Sequence, residues 1–430
     1  MLSPEESFLW ICARRWRRPE EIEFPANLDW EYLARLVVSN RMPVLFERIL
    51  AVHDSRAFPD APREQIRASA ARLAENAARF SAALQQFLEL AAGAGIPCIV
   101  LKGLAISIQL YGHPAVRPGG DIDLLVPRES VPRTIELLEQ IGIGAFWPNL
   151  LADEFYDRHH LHQQRSSPDL KTWFEIHWAL DHPYTLLTVD YEELFRRGRP
   201  GRLLDRPVVE MTAPDLVMTL CIHLVKHAIY LRSILERPDL GRAILAEGML
   251  MYYLDVAEAL RMFTSQDDYE VLADLSNRSG ASQSVGAVLR ACLALLDVEA
   301  PESVLKLFPV PTDGWLTRRL MNGMVNRQLA SLAGVPATSL WKILSITNGA
   351  FILRPIRLVE SAVYFLPPSE YLIRRYGTSG LICRLGHLIA AVGQFIRFGW
   401  DSLYFAIERF RRLRAIRYST SLLNRLEIEG

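Results

Sequence analysis

The chain has 430 residues, of which 50% are hydrophobic and 23% are charged, and its formal net charge is −1. This length and composition predict two or three folded domains and exclude a disordered chain. The balanced charge gives no general field for nucleic-acid binding, and five scattered cysteines without a Cys-x-x-Cys pair indicate neither a zinc site nor a disulfide framework.

Targeting and membrane segments are not predicted. Residues 1–18 lack the apolar core of a signal peptide. No uninterrupted apolar run reaches the length of about 18 residues that a membrane-spanning helix needs. We therefore expect a cytoplasmic protein.

Residues 1–94 are predicted to form an N-terminal helical region. Asp29 is a predicted N-cap, because its carboxylate can accept hydrogen bonds from the first free N–H groups of a helix. Apolar residues recur at three- and four-residue steps through 62–94, which indicates one long amphipathic helix that ends at Gly93 and Gly95.

Residues 95–210 are predicted to form a small mixed α/β core. Three segments have the character of strands and two have helical spacing: 96–101, 121–126 and 173–178, then 104–111 and 130–141. Ser130 is a predicted N-cap of the second helix. The cluster His159, His160 and His162 is predicted to lie in a surface loop.

The remainder is predicted to be a helical domain over 211–377, followed by a basic amphipathic helix over 378–430. Between Tyr371 and Arg425, ten arginines stand against two acids. Two interpretations of this helix remain open: peripheral contact with an anionic membrane surface, or packing on the protein with arginines in solvent. The predicted fold class is α+β, a small mixed sheet embedded between N-terminal and larger C-terminal helical regions.

The motif Asp121-x-Asp123 is the strongest chemical signal. Side chains at i and i+2 of a strand point to the same face, so the two carboxylates project together. Two carboxylates on one face of a buried strand repel each other, and a divalent cation such as Mg²⁺ relieves the repulsion. Sites of this kind need a third carboxylate, for which Glu175 is the leading candidate. Asp169 and Asp181, which flank the same strand, are the alternatives.

Phosphate binding is predicted just before this motif. Gly103 follows a strand and precedes a helix, where backbone N–H groups can approach a phosphate. Lys102 and Arg117 can supply full positive charges to a polyphosphate.

A helix near residue 223 carries a further set of polar residues. His223 and His227 have the i, i+4 spacing of metal ligands, but no acidic residue lies between them, which disfavours zinc. Lys226 or His227 is predicted to contact nucleotide phosphates, with core or interdomain hydrogen bonding as the alternative.

These motifs resemble one family. The segments that carry the resemblance are Leu101-Lys102-Gly103, Arg117, Gly120-Asp121-Ile122-Asp123-Leu124-Leu125-Val126 and Glu175-Ile176-His177-Trp178. Together they resemble the uncharacterised nucleotidyltransferase family of the DNA polymerase β-like superfamily. The likeness extends over most of 25–377, and its strongest part is 96–126.

The resemblance implies transfer of a nucleoside monophosphate from a nucleoside triphosphate, ATP among them, to an unknown acceptor, with two Mg²⁺ ions and release of pyrophosphate. The acceptor would be a small molecule, a peptide or a saccharide. The residues implied to be catalytic and metal-binding are Asp121, Asp123 and Glu175, and those implied to bind nucleotide are Lys102, Gly103, Arg117 and Lys226. Better-known members have Gly-Gly or Gly-Ser where this chain has Lys102-Gly103. Two alternatives therefore stay open, a catalytically degenerate scaffold and a kinase that uses the same metal site.

Overall fold

The structure is a computed structural model of the whole chain. It describes residues 2–25, 27–53, 58–117, 119–145, 161–181, 187–230 (backbone only from 227), 239–308, 372, 378–389 and 392. The chain divides into two compact units, one of Met1–Trp147 with Tyr156–Leu320 and one of Pro148–Phe155 with Met321–Gly430. Every residue of the site described below belongs to the first unit.

The fold is α+β, which confirms the predicted class. The helices are α1 (Pro4–Arg15), α2 (Trp30–Ser39), α3 (Pro43–Ala51), α4 (Asp60–Gly93), α5 (Leu104–Tyr111), α6 (Val131–Gln140), α7 (Tyr191–Arg197), α8 (Ala213–Tyr230), α9 (Leu240–Ala246), α10 (Leu250–Leu260), α11 (Gln266–Arg278), α12 (Ser282–Leu295) and α13 (Glu302–Leu305). The strands are β1 (Ile99–Val100), β2 (Ile122–Leu125), β3 (His162–Ser166), β4 (Trp173–His177), β5 (Arg199–Leu203) and β6 (Arg206–Glu210).

Strands β1 to β4 form a mixed sheet in the order β1-β2-β4-β3. Strand β2 is parallel to β4, while β1 and β3 run antiparallel to their neighbours. The prediction that His162 lies in a surface loop is wrong, because His162 begins β3. This polar segment lacks the apolar alternation of a buried strand, and it becomes a strand by pairing along its whole length with β4.

The two faces of the sheet have different chemistry. Apolar residues of β2 and β4, such as Leu124 and Phe174, pack with Phe87 and other residues of α4 in one hydrophobic core. Because side chains alternate along a strand, Asp123 and Glu175 lie on the opposite face. Burial of the apolar face therefore determines which residues the other face presents.

The helices of the first unit share a second core, in which α1 to α3 pack with residues of α8 to α12. Asp29 caps α2 as predicted, since its Oδ1 accepts a hydrogen bond from the Tyr32 backbone N–H at 2.9 Å. Ser130 is the N-cap residue of α6, as predicted, but the Ser130 hydroxyl makes no capping hydrogen bond within the described chain. The Ser130 carbonyl instead accepts a bond from Thr134 Oγ1 at 2.9 Å.

In the second unit, residues 381–389 are helical. This segment exposes apolar side chains, with Leu381 74%, Ile382 87%, Leu385 51% and Ile389 72% exposed. Residues 390–391 and 393–430 of the predicted C-terminal helix lie outside the described residues, as do residues 309–371 and 373–377 of the predicted helical domain. None of the helices described is both long and apolar enough to cross a membrane.

Candidate metal and nucleotide site

Three carboxylates meet at the polar face of the sheet. Asp123 on β2 is the direct neighbour of Glu175 on the parallel strand β4, and Asp121 stands immediately before β2. One oxygen atom from each of the three lies within 4.8 Å of the other two. The structure thus brings together the three residues that the sequence predicted as metal ligands.

Two glycines let the segment before β2 approach the turn after β1. Gly103 has a φ of +62°, a conformation that residues with a Cβ atom rarely adopt, and its Cβ position lies 3.4 Å from the Gly119 backbone nitrogen. A Cβ atom on Gly119 would lie only 2.8 Å from the Asp121 carbonyl oxygen. The position of Asp121 therefore depends on the absence of a side chain at Gly119.

Lys102 reaches into the carboxylate cluster. Its Nζ lies 3.0 Å from Asp123 Oδ1 and 3.6 Å from Asp121 Oδ1. Burial opposes the charge, but the negative charges of Asp123 and Asp121 outweigh burial and raise the pKa of Lys102. In this arrangement the ammonium neutralises part of the charge of the two aspartates.

His177 lies at the centre of the cluster. Its Nε2 is 3.0 Å from Asp123 Oδ1 and 3.2 Å from Glu175 Oε2, and its Nδ1 is 3.3 Å from the Ala179 carbonyl oxygen. Both ring nitrogens therefore lie within hydrogen-bonding distance of acceptor oxygens. Burial favours the neutral ring, but the hydrogen bonds to Asp123 and Glu175 outweigh it and raise the pKa of His177. The sequence placed His177 on the face of Glu175 without assigning it a role.

Strand β3 adds two side chains around Glu175. Gln164 Nε2 donates a hydrogen bond to Glu175 Oε1 at 2.8 Å, and His162 Nδ1 lies 3.6 Å from Glu175 Oε2. Burial acts to raise the pKa of Glu175, but the bond from His177 and the charges around it prevail and hold that pKa well below its usual range. Glu175 is therefore ionised throughout the neutral range.

The residues present fit a divalent cation. Asp123 Oδ2 is buried and has no hydrogen-bond partner among the residues that the structure describes. Burial, reinforced by the charge of Asp123, raises the pKa of Asp121 to about 7. An orphaned carboxylate oxygen and a strongly raised acid pKa both indicate negative charge that Lys102 and His177 leave only partly compensated. Hard oxygen ligands of this kind suit a divalent ion.

A cavity of about 270 Å³ opens beside the cluster. The sheet and helix α8 line it together, and the α8 residues are Thr219, Leu220, Ile222, His223 and Lys226. Burial lowers the pKa of Lys226. No ion pair or hydrogen bond joins Lys226 to another part of the described chain. The side chain of His227 lies outside the described residues. The predicted i, i+4 pair of His223 and His227 is therefore not described.

Arg117 lies elsewhere. Its side chain is 3% exposed, and its Nε donates to Asp255 Oδ2 on α10 at 2.7 Å, with the guanidinium over the Tyr252 ring. It is not among the residues that line the cavity. Arg117, which the sequence predicted to bind phosphate, is instead paired with the buried carboxylate of Asp255.

The alternative third carboxylates also lie apart from the cluster. Asp169 is in the turn between β3 and β4, where its Oδ1 accepts hydrogen bonds from the Ser167 hydroxyl and the Lys171 backbone. Asp181 follows β4. Within the described chain it belongs to neither group of side chains that could hold a metal ion together. Glu175 is the third carboxylate of the cluster.

Carboxylates grouped beside a cationic cavity on an α+β scaffold are typical of proteins that transfer phosphate-containing groups with divalent metals. Residues 26–297 match the model of a family described as an uncharacterised nucleotidyltransferase, and the chain belongs to this family. The resemblance found in the sequence is thereby confirmed. No curated protein matches the chain. No solved structure matches it either.

Proposed function

We propose that the protein is a metal-dependent nucleotidyltransferase that moves a nucleoside monophosphate from a nucleoside triphosphate to an acceptor and releases pyrophosphate. The observation that carries this proposal is the convergence of Asp121, Asp123 and Glu175 in the lining of a cavity that Lys226 also lines. Membership of a nucleotidyltransferase family supports it.

In this proposal Asp121, Asp123 and Glu175 hold divalent cations, with Mg²⁺ as the expected ion. Such cations, when bound, activate the acceptor oxygen and stabilise the departing pyrophosphate. The protein's own contribution is to hold three carboxylates in place through the register of β2 and β4 and the close approach of Gly119 to Asp121.

Lys226 and Lys102 are the proposed phosphate ligands, with the backbone of Gly103 beside them. Lys226 lines the same cavity as the three carboxylates and offers a positive charge there. Lys102 would turn from the aspartates toward the phosphates.

Arg117 is instead proposed to position the loop before Asp121. Its backbone N–H donates to Ser107 Oγ on α5 at 2.8 Å, and its side chain binds Asp255 on α10.

The proposed reaction joins an acceptor oxygen to the α-phosphorus and breaks the bond from that phosphorus to the bridging oxygen of pyrophosphate. The proton of the acceptor passes to a carboxylate of the cluster. Glu175, which lies beside Asp123 on the neighbouring strand, is the proposed acceptor of this proton.

The test is product analysis with purified full-length protein, Mg²⁺, each of the four common triphosphates and a pool of candidate acceptors. We expect pyrophosphate release and an acceptor mass increased by one nucleotide. Asp123→Asn should abolish both, whereas Asp169→Asn, which removes an exposed carboxylate outside the cluster, should leave both unchanged.

Other results would identify the alternatives. Release of a nucleoside diphosphate in place of pyrophosphate would indicate a kinase. Calorimetry that detects no binding of any triphosphate would indicate a degenerate scaffold. Equal turnover in Asp123→Asn and the unmodified protein would rule out the proposed site.

A further inference from the structure

The cluster contains two overlapping groups of ligand atoms that share Glu175. One group consists only of oxygen donors, from Asp121, Asp123 and Glu175. The other contains two imidazole rings and one carboxylate, from His162, Glu175 and His177, and its ligand atoms also lie within 4.8 Å of one another. The two groups differ in chemical softness, because imidazole nitrogen is a softer donor than carboxylate oxygen.

His177 is oriented as a metal-binding histidine is. Its Nδ1 faces the Ala179 carbonyl oxygen at 3.3 Å, which directs Nε2 toward Asp123 and Glu175. A backbone carbonyl on the second ring nitrogen is a common device for orienting a metal ligand. The side chain is only 7% exposed. Three potential ligand atoms, Nε2 and one oxygen from each acid, thus face one another in a buried place.

The neighbouring Asp123 oxygen supplies an independent observation. Its Oδ2 is fully buried, yet nothing in the described chain donates a hydrogen bond to it. Lys102 and His177 both contact the other oxygen, Oδ1. The carboxylate beside His177 therefore keeps one buried oxygen that is available to a cation.

We propose that His162, Glu175 and His177 form a second, nitrogen-containing site that takes a first-row transition ion, with Zn²⁺ as the best match, next to an all-oxygen site for Mg²⁺. Two imidazoles and one carboxylate are an established ligand set for zinc with an open position. The inference rests on the proposed function only in treating the carboxylates as a metal site, and it requires no nucleotide transfer.

Cobalt(II) is the probe, because it substitutes for zinc and is paramagnetic. Metal-free, full-length protein is titrated with Co²⁺ and separately with Mg²⁺, without nucleotide. We expect Co²⁺ to bind at least about 100-fold more tightly than Mg²⁺. Proton NMR of the Co²⁺ complex should show hyperfine-shifted, solvent-exchangeable resonances from the N–H groups of the bound imidazoles.

Variants separate the two groups of ligands. His177→Gln should weaken Co²⁺ binding about 10- to 100-fold, remove one shifted N–H resonance and change Mg²⁺ affinity by less than about threefold. His162→Gln should remove the other shifted N–H resonance. This variant provides the same test if His177→Gln does not fold. Asp121→Asn should weaken Mg²⁺ binding more than Co²⁺ binding. The control is His223→Gln, which changes a cavity histidine outside the group and should leave both affinities unchanged.

The proposal is overturned if the Co²⁺ complex has no shifted exchangeable resonances, if His177→Gln weakens both ions equally, or if His223→Gln acts as His177→Gln does. These measurements contain no nucleotide, so a failure to release pyrophosphate would contradict the proposed function without affecting them. Loss of the resonances in a protein that still releases pyrophosphate would overturn the nitrogen-containing site alone.

Discussion

Asp123 and Glu175 are paired neighbours on parallel strands, and their carboxylates lie side by side because β2 and β4 align in that register. The alignment also pairs Ile122 with Phe174 on the opposite, buried face. A slip of one residue would move every side chain of a strand to the other face. The geometry of the candidate metal site is therefore maintained by apolar packing behind it.

Lys102→Met is expected to have opposite effects on two ligands. Removal of an ammonium 3.0 Å from Asp123 Oδ1 should strengthen Mg²⁺ binding about tenfold in the absence of nucleotide. The same change should weaken triphosphate binding, since a proposed phosphate ligand is lost. Calorimetry with each ligand tests both effects, and Lys171→Met, at an exposed position, is the control. Weaker metal binding in Lys102→Met would contradict the competition between the ammonium and the cation.

Gly119→Ala should displace Asp121. The added Cβ would lie 2.8 Å from the Asp121 carbonyl oxygen, so the backbone must move, and we expect Mg²⁺ affinity to fall about tenfold. The adjacent Gly120→Ala is the matched control, because nothing lies within 4 Å of its Cβ position. Metal titration of both variants makes the comparison. Equal affinities would show that Asp121 does not depend on this close approach.

Asp255→Ala should destabilise the protein strongly. It would leave the Arg117 guanidinium buried without its carboxylate, at a cost of about 3 to 5 kcal/mol in the free energy of unfolding. Arg117→Met combined with Asp255→Leu should lose less, because neither charge remains. Urea denaturation measures both. Glu136→Ala, which breaks an exposed pair with Arg133, should change stability by less than about 0.5 kcal/mol.

Lys226→Met should stabilise the ligand-free protein and weaken triphosphate binding. Burial lowers the pKa of Lys226, so the charged side chain opposes folding at neutral pH. We expect a gain of about 0.5 to 1 kcal/mol at pH 7. The gain should shrink as pH rises through the lowered pKa toward 10.5, since the folded protein then loses the unfavourable charge first. Denaturation at several pH values tests this sign, and a gain that grows with pH would contradict it.

Leu385→Glu tests one of the two interpretations of the C-terminal region, contact with an anionic membrane surface. Leu385 belongs to the exposed apolar residues of the helix at 381–389. If that helix rests on an anionic surface, the substitution should reduce sedimentation with phosphatidylserine-containing vesicles about tenfold. Val271→Glu, at an exposed apolar residue of α11, is the control. Absence of vesicle binding by the unmodified protein would favour the packed-helix interpretation.

Local patterns predicted much of the fold. Apolar spacing indicated α4, and the cap at Asp29 followed from its position before an apolar helix. Strand β3 was missed because its residues are polar and its structure depends on pairing with β4. Contacts between distant segments of the chain were not predictable from spacing. Arg117 and Asp255 are 138 residues apart, and their ion pair exists only because α5 and α10 belong to one core.

The sequence by itself determined which chemical groups the site contains. It indicated two aspartates on one face of a strand, a third acid at Glu175 and a glycine turn beside a lysine, because side-chain alternation and backbone freedom are local properties. Only the tertiary structure decided how these groups are used. It paired Lys102 with the aspartates, brought His162 and His177 to Glu175, and turned Arg117 toward Asp255. These outcomes depend on contacts between segments that are distant along the chain. Only packing brings such segments together, so no short stretch of residues determines the distances between them.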